Sequence, residues 1–201
     1  MVSAARMISA VVLCGGAGRR FGGADKPLLE LAGRPLVAHV LARLSGQVDE
    51  VVISANRNRD RYEGLGVPVV ADGSPGLGPL AGIAAALSSC RGELLFVCPG
   101  DSPGLATDLV ARLDACLDNA PAADAAVAHD GIRDQVLFLL IRRPAAQTVV
   151  EHLAKGGRSV FGWLAELSTV RCPINDAGSF LNVNTPEELA ALESNWERES
   201  S

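Results

Sequence analysis

Residues 8–27 read ISAVVLCGGAGRRFGGADKP, an apolar run followed at once by a segment rich in glycine and cationic residues. The apolar run over residues 8–14 is short and ends in glycines, which is typical of a buried parallel strand. The glycines behind it lack the side chains that would keep an anion away from the backbone N–H groups. The stretch therefore predicts a strand that ends in a loop suited to binding phosphate.

The rest of the chain alternates between short apolar runs and helical patterns. Further strands are predicted at residues 50–56, 67–71, 93–101, 125–129 and 135–141, and helices at residues 35–44, 78–90 and 107–117 and from Thr185 onward. Alternating strands and helices predict an α/β fold with three layers, in which a mostly parallel twisted sheet carries helices on both faces. The short turn DGIRD between two strand patterns predicts a locally antiparallel edge. We expect one domain over residues 1–201, because no repeat or linker interrupts the pattern.

Composition and charge narrow the classes of partner. The 201 residues are 48% hydrophobic and carry a net charge of −5, so we expect no nucleic acid partner. No apolar run is long enough to span a membrane, and we expect no membrane partner. The five cysteines have no CxxC spacing and are odd in number, so we interpret four of them, which lie in apolar surroundings, as small buried residues and expect a reducing, cytoplasmic compartment.

The glycine-rich segment differs from two common phosphate motifs. No Lys-Ser or Lys-Thr pair follows a glycine at the spacing of a P-loop, and Phe21 stands where a dinucleotide fingerprint needs its third glycine. Arg19, Arg20 and Lys26 could still supply positive charge to a polyphosphate. From these residues alone, a solvent-exposed turn with incidental basic residues remains an alternative.

Five stretches together resemble one known family. They are LCGGAGRRFGGADKPLLELAGRPL (13–36), DGSPGLGPLAGI (72–83), FVCPGDSP (96–103), HDGIRD (129–134) and FLNVNTPEEL (180–189). Their sequence and order are similar to those of the molybdenum cofactor guanylyltransferases, a family with a Rossmann-like nucleotidyltransferase fold. The resemblance implies Mg²⁺-dependent transfer of GMP from GTP to the terminal phosphate of molybdopterin that carries its metal, with release of pyrophosphate. It also implies a nucleotide-binding half at about residues 1–105 and an acceptor-side half at about 106–195.

The resemblance assigns roles to individual residues. Arg19, Lys26 and Asp101 would be the catalytic residues, and Asp101 would also hold Mg²⁺. Asn182 and Asn184 would lie on the acceptor side. The residues expected to contact the nucleotide are Leu13, Cys14, Gly15, Gly16, Lys26, Ser54, Asp72 and Asp101. Read without the family, Asp101 could instead cap a helix, Asp72 could stabilise its turn, and the two asparagines could make turn and cap hydrogen bonds.

The chain departs from the family pattern at three places. Ser54 stands where the family usually has Asn, and its shorter side chain puts this contact with the nucleotide in doubt. Asn56 could make the contact instead. Cys14 replaces an Ala, a change that a backbone contact tolerates. The strand that begins near Gln135 reads QVLFLLI and has no Pro near Val136, where the family commonly has one, which makes the acceptor side less secure than the nucleotide side.

Alternatives to guanylyl transfer remain open at this stage. The same chemistry could serve cytidylyl transfer to molybdopterin or nucleotidyl transfer to a sugar phosphate. A non-catalytic module that binds a nucleotide or cofactor is a further alternative, although such a module need not retain Arg19, Lys26 and Asp101 together. Protein partners that deliver the cofactor or act as molybdoenzyme chaperones are compatible with each of these functions.

Overall fold

The computed structural model describes residues 6–15, 23–73 and 77–199, and within these ranges it is built on one seven-stranded sheet. The strands are β1 (Ile8–Leu13), β2 (Glu30–Leu31), β3 (Arg34–Pro35), β4 (Glu50–Ser54), β5 (Val69–Val70), β6 (Leu94–Pro99), β7 (Ala125–His129), β8 (Asp134–Arg142) and β9 (Thr169–Pro173). The main sheet has the order β5-β4-β1-β6-β8-β7-β9, and β2 and β3 form a separate antiparallel pair. The predicted strand at residues 8–14 is thus confirmed, and it lies near the middle of the sheet.

Helices cover both faces of the sheet, as the sequence predicts. They are α1 (Leu36–Leu44), α2 (Arg59–Glu63), α3 (Pro79–Ala86), α4 (Leu109–Asn119), α5 (Arg143–Ala154), α6 (Val160–Leu164) and α7 (Pro186–Glu199). Short 3₁₀ turns occupy Lys26–Leu28 and Ala177–Phe180. Apolar side chains of α1, α2 and α4 share one core cluster with Ala10 and Val12. Those of α3, α5 and α6 share a second cluster with Val11 on the opposite face of the sheet. The two clusters fill the two interfaces between the sheet and the helices that cover it, so the fold has three layers.

The parallel and antiparallel parts of the sheet meet at β6. β1 pairs in parallel with β4 and β6, whereas β8 runs antiparallel to both β6 and β7. The antiparallel pairing expected from the turn DGIRD is confirmed, but β8 has a neighbour on each side. The edge on this side is instead β9, which pairs in parallel with β7. The carboxyl ends of β1 and β6 therefore lie side by side, which is where ligands bind in open α/β sheets.

The segment after the last strand closes over the β2–β3 hairpin. Val183 is buried with Leu31 and Leu36, and α7 begins just behind it. The ring of Trp196 in α7 lies edge-on to that of His39 in α1, with 5.0 Å between the ring centroids. These contacts fix the C-terminal helix on α1 and the hairpin, outside the main sheet.

The cysteines require one correction to the sequence interpretation. Cys116 in α4 and Cys172 in β9 form a disulfide with 6.0 Å between their Cα atoms, whereas Cys14, Cys90 and Cys98 are free and buried. The sequence interpretation, which treated four of the five cysteines as small buried residues and proposed no disulfide, did not foresee this pair. The reason is geometric, because α4 packs across β7 and β9 and so brings together two residues 56 positions apart.

No helix within the described ranges is long and apolar enough to cross a membrane.

Candidate functional site

The ends of β1, β4 and β6 form the base of the site. The backbone N–H of Cys14 donates to the carbonyl oxygen of Ser54 at 2.8 Å, and that of Gly100 donates to the carbonyl oxygen of Leu13 at 2.9 Å. A Cβ at Gly100 would lie only 2.5 Å from Sγ of Cys14, so the segments that follow β1 and β6 approach each other closely here. Leu13, Cys14 and Gly15 are thereby held at the carboxyl edge of the sheet, where the nucleotide contacts are expected.

A lysine and a carboxylate meet at this edge. Lys26 opens the 3₁₀ turn Lys26–Leu28, and Asp101 follows β6 after Gly100. Nζ of Lys26 lies 3.1 Å from Oδ2 of Asp101 and donates to Oδ1 of Asn184 at 2.9 Å. Only 24% of the Lys26 side chain and 15% of the Asp101 side chain are exposed, so their charges are screened less than those of a surface pair. The structure thus joins three of the residues predicted for catalysis and for the acceptor side.

Both asparagines make hydrogen bonds in the segment that precedes α7. The hydroxyl of Ser102 donates to Oδ1 of Asn182 in a short hydrogen bond, and Nδ2 of Asn184 donates to the carbonyl oxygen of Asn182 at 3.1 Å. Between them, the backbone N–H of Val183 donates to the carbonyl oxygen of Asp101 at 3.2 Å. Asn182 and Asn184 are therefore fixed against the residues that follow β6. Ser102 adds a polar contact that the sequence interpretation missed, although it stands next to Asp101.

The helix behind this segment has the predicted start. The hydroxyl oxygen of Thr185 accepts a hydrogen bond from the backbone N–H of Glu188 at 3.2 Å. The carboxylate of Glu188 accepts one from the backbone N–H of Asn184 at 2.6 Å. Thr185 thus caps the helix as predicted, whereas Glu188 accepts from Asn184, one residue before the cap, and not from Thr185 as a standard capping box requires. The position of Asn184 is thus tied to the beginning of α7.

A second group of polar residues follows β4 and β5. The backbone N–H of Asp72 donates to Oδ1 of Asn56 at 3.0 Å, so these two residues lie together. The hydroxyl of Ser54 is directed elsewhere, because a Cβ at Gly82 in α3 would lie 2.7 Å from its Oγ. Ser54 is only 6% exposed. Of the two residues considered for a nucleotide contact, Asn56 is the one whose side chain lies next to Asp72, which is also predicted to contact the nucleotide.

Two residues of the expected site lie outside the described residues. Gly16 and Arg19 belong to the stretch 16–22 of the glycine-rich segment. The residues that follow this stretch are held by the turn before α2. Nδ2 of Asn58 donates to Oδ2 of Asp25 at 3.0 Å. Asn58 is a further site residue that the sequence interpretation did not identify, since its link to Asp25 spans 33 positions.

The thiol at the base of the site is not activated. Burial raises the pKa of Cys14 well above its usual value, and the charges of Asp25, Cys98 and Asp101 raise it further. A thiol in this state is a poor nucleophile. The chemistry available to the described residues is therefore charge neutralisation and alignment by an ammonium, a carboxylate and amide groups.

Comparison with known proteins agrees with this geometry. A family model described as the MobA-like NTP transferase domain matches residues 10–170. The chain belongs to the MobA-like NTP transferase family. It is 43% identical over 190 residues to the molybdenum cofactor guanylyltransferase of Shewanella pealeana, with 94% of each chain covered. It is 45% identical over 200 residues to the protein of the same name from Burkholderia lata, with 94% of this chain and 97% of the relative covered.

A solved member of the MobA-like family has the same fold. The crystal structure of molybdopterin-guanine dinucleotide biosynthesis protein A from Archaeoglobus fulgidus superposes with a TM-score of 0.77. The two chains are 26% identical, and the match covers 96% of this chain and 100% of the other. The resemblance identified from the five sequence stretches, the Rossmann-like nucleotidyltransferase fold and the assignment to the nucleotidyltransferases are therefore confirmed.

Proposed function

We propose that this protein transfers GMP from GTP to the terminal phosphate of a molybdopterin acceptor that carries its metal. An oxygen of the acceptor phosphate forms a bond to the α-phosphorus of GTP. The bond between that phosphorus and the α–β bridging oxygen breaks, and its electron pair leaves with pyrophosphate. The products are molybdopterin guanine dinucleotide and pyrophosphate. The names of the relatives at 42–45% identity support this choice of substrates.

The observation that carries the proposal is the contact of Lys26 with both Asp101 and Asn184. Two anionic substrates must meet for this reaction, so the site has to reduce their repulsion and align them. The ammonium of Lys26 can bind phosphate oxygens as a point charge. Asn182 and Asn184 would hold the acceptor, and their contacts with Ser102 and Lys26 support this role. Arg19 completes the proposed catalytic set with Lys26 and Asp101.

The nucleotide side of the proposal uses the remaining residues predicted for it. The backbone of Leu13, Cys14, Gly15 and Gly16 would contact the phosphates. A carboxylate at Asp72 suits the N1–H and N2 amino donors of guanine. Because Ser54 is covered by α3, we assign its role to Asn56, which contacts Asp72. The nucleotide-binding half at residues 1–105 and the acceptor-side half at 106–195 remain part of the proposal.

The donors at Asp101 fit Mg²⁺ only if the substrate supplies further ligands. Within the described residues, no group of three or more His, Cys, Asp or Glu could hold a metal ion. Mg²⁺ is commonly bound by one or two carboxylates together with substrate phosphates and water, and Asp101 supplies one such carboxylate. When bound there, Mg²⁺ would offset the charge of the phosphate oxygens. We further propose a cytoplasmic location and, as partners, proteins that deliver or receive the cofactor.

The test is a transfer assay with the purified protein, Mg²⁺ and metal-containing molybdopterin, comparing GTP, CTP, ATP and UTP. We expect pyrophosphate and the dinucleotide to form with GTP, at a kcat/KM at least about 100-fold above that of the other nucleotides. Thermal unfolding with each nucleotide gives an independent measure. A ligand present at 100 times its Kd should add about 2.7 kcal/mol to the free energy of unfolding.

Other outcomes would replace the proposal with a specific alternative. Faster transfer from CTP would identify a cytidylyltransferase, and transfer to a sugar phosphate but not to molybdopterin would change the acceptor. Nucleotide binding without pyrophosphate release at saturating acceptor would indicate a non-catalytic module. Equal thermal shifts with all four nucleotides would contradict guanine selectivity.

A further inference from the structure

The segment that follows β4, residues 56–58, contacts two separate parts of the proposed site. Oδ1 of Asn56 accepts from the backbone N–H of Asp72 at 3.0 Å. Two residues later, Nδ2 of Asn58 donates to Oδ2 of Asp25 at 3.0 Å, across 33 positions of the chain. Asp25 directly precedes the lysine of the site. The segment therefore links the aspartate predicted to bind the nucleoside to the turn that carries the lysine.

Asn58 does not act as an ordinary helix cap. It precedes α2 in a left-handed backbone conformation, with φ 51° and ψ 33°, and its side chain makes no capping hydrogen bond to that helix. An asparagine that caps a helix normally has an extended backbone, and its side-chain oxygen accepts from the first turn. Asparagine is one of the few residues other than glycine that adopt the left-handed conformation readily. The carboxamide of Asn58 is thus used for Asp25 and not for α2.

Asn58 is held by an element that is anchored in the core. Its carbonyl oxygen accepts from the backbone N–H groups of Arg61 and Tyr62 at 3.0 and 3.3 Å, and Tyr62 is fully buried. The preceding residue, Arg57, adds a contact to the same stretch, since its Nη1 donates to the carbonyl oxygen of Gly23 at 3.5 Å. A side chain supported in this way can fix the position of its partner.

Asp25 is joined to Lys26 by a rigid turn. The carbonyl oxygen of Asp25 accepts from the backbone N–H of Leu28 at 2.9 Å, and both Pro27 and Leu28 are buried. The carboxylate of Asp25 makes no capping hydrogen bond to this turn and is held by Asn58. A shift of Asp25 would therefore move the backbone of Lys26 relative to the carboxylate that its ammonium contacts.

We propose that Asn58 is a positioning residue, whose carboxamide fixes Asp25 and thereby keeps the ammonium of Lys26 beside Asp101. The inference rests on the proposed function, in which Lys26 binds the phosphates of the nucleotide from this place. It requires no rearrangement of the chain, because each contact is present in the protein without a ligand. Loss of the carboxamide should impair turnover and leave the core intact.

The variant Asn58→Gly removes the carboxamide and keeps the backbone conformation, which glycine adopts without strain. We expect kcat/KM for GTP to fall about 10-fold, because a small misplacement of a charged group is costly in a transfer reaction. The Tm should change by less than about 3 °C, because Asn58 is exposed. The matched control is Asp60→Asn at another exposed position of α2, which should leave kcat/KM within about 2-fold. An unchanged kcat/KM in Asn58→Gly, or an equal loss in the control, would overturn the proposal.

Exchanging the two side chains tests the pair itself. Asn58→Asp places two carboxylates at hydrogen-bond distance, so their repulsion should lower kcat/KM at least about 30-fold. Adding Asp25→Asn restores an amide and a carboxylate with their positions reversed. We expect the exchanged pair to recover kcat/KM to within about 3-fold of the parent protein. A double variant no better than Asn58→Asp would contradict the proposed contact.

The position of Lys26 can be observed directly, because the chain has two lysines, Lys26 and Lys155. Lysine labelled with ¹³C at Cε gives two resonances, and Lys155→Arg identifies the one that belongs to Lys26. In Asn58→Gly without nucleotide, we expect the Lys26 resonance to move toward that of the exposed Lys155. The exchanged pair should return it to its original position. A Lys26 resonance that does not move in Asn58→Gly would overturn the proposal even if activity falls.

These measurements distinguish failure of this inference from failure of the proposed function. If the parent protein binds none of the four nucleoside triphosphates, the proposed function fails, and the lysine resonances still decide whether Asn58 positions Lys26. If the parent protein turns over GTP and Asn58→Gly changes neither kcat/KM nor the Lys26 resonance, only the role of Asn58 fails.

Discussion

The ammonium nitrogen of Lys26 lies 3.1 Å from the carboxylate of Asp101, although 75 positions separate the two residues in the chain. The first follows the glycine-rich segment and the second follows β6. Because β1 and β6 are parallel neighbours, their carboxyl ends bring both residues to the same edge. Catalysis by this protein should therefore depend on charges that the sheet topology places together.

Replacing Asp101 tests the proposed catalytic carboxylate. Asp101→Asn keeps the size of the side chain and an oxygen that can accept from Lys26, but it removes the negative charge. We expect kcat for pyrophosphate release to fall at least about 100-fold. The free energy of unfolding should fall by about 1–3 kcal/mol, since the pair is mostly buried, but the protein should remain folded.

The matched control for Asp101→Asn is Asp108→Asn. Asp108 is exposed, and its carboxylate lies 3.8 Å from the guanidinium of its partner Arg112. Its replacement should leave kcat within about 2-fold, because surface ion pairs contribute little. Near-normal turnover by Asp101→Asn under saturating Mg²⁺ would contradict the assignment of Asp101.

The contact between Gly100 and Cys14 predicts a non-additive pair of substitutions. Gly100→Ala places a methyl group 2.5 Å from Sγ of Cys14 and should cost about 1–3 kcal/mol of stability. Cys14→Ala removes that sulfur, so the double variant should regain part of the loss. Recovery will be incomplete, because Cβ of Pro27 and the carbonyl oxygen of Leu13 remain 3.3 and 3.4 Å away. Urea unfolding of the two single variants and the double variant measures the coupling, and strictly additive costs would refute it.

The disulfide between Cys116 and Cys172 should stabilise the edge of the sheet. Closing a loop between residues 56 positions apart is expected to contribute on the order of 4 kcal/mol through the unfolded state. Adding a reductant should therefore lower the urea midpoint of the parent protein. Cys116→Ser should have the lower midpoint with or without reductant, whereas Cys90→Ser should keep the response to reductant.

Counting thiols tests the same bond directly. Protein unfolded without reductant should present three reactive thiols, from Cys14, Cys90 and Cys98, and all five after reduction. Five thiols in protein purified without either oxidant or reductant would show that the pair is reduced. That result would agree with the reducing compartment expected from the sequence.

The hairpin between β7 and β8 should lose stability in acid when Asp130 becomes protonated. Hydrogen bonds from the backbone N–H groups of Arg133 and Ile132, and then from the side chain of Gln135, lower the pKa of Asp130 to about 2. A carboxyl group with a lowered pKa stabilises the folded hairpin above its unfolded pKa of about 3.9. This contribution is lost as the pH falls through 2.

NMR can follow this titration at single residues. The amide resonances of Ile132 and Arg133 should keep their positions from pH 6 to about pH 3 and shift near pH 2. In Asp130→Asn this shift should disappear. A midpoint near pH 4 in the parent protein would show that these hydrogen bonds do not form in solution.

The parts of the fold that could be predicted have strong local patterns. The strand at residues 8–14 is apolar except for Ser9, and the helix after Thr185 has its start encoded in a few residues. β9 carries no such pattern. It is an edge strand with the sequence TVRCP, and most of its residues are exposed, so it has no apolar run. The helices over residues 143–154 and 160–164 were likewise not assigned from the sequence.

The site likewise contains residues that a local sequence motif identifies and contacts that form only in the folded protein. Lys26, Asp101 and Asn184 could be selected from motif resemblance, and the structure joins them. The turn of Ser54 toward Gly82 depends on how α3 packs on β4, which a local pattern does not contain. The links from Asn58 to Asp25 and from Cys116 to Cys172 also arise only from the assembled fold.

Because Glu188 of α7 holds Asn184, loss of the C-terminal helix should impair the site. Deleting residues 186–199 would remove no strand of the main sheet, so the truncated protein should still fold. It would, however, lose the carboxylate of Glu188 that accepts from Asn184 and the indole of Trp196 that meets α1. Proteolytic trimming, or a bulky fusion at this end, could thus yield well-folded protein that binds nucleotide normally but turns over slowly.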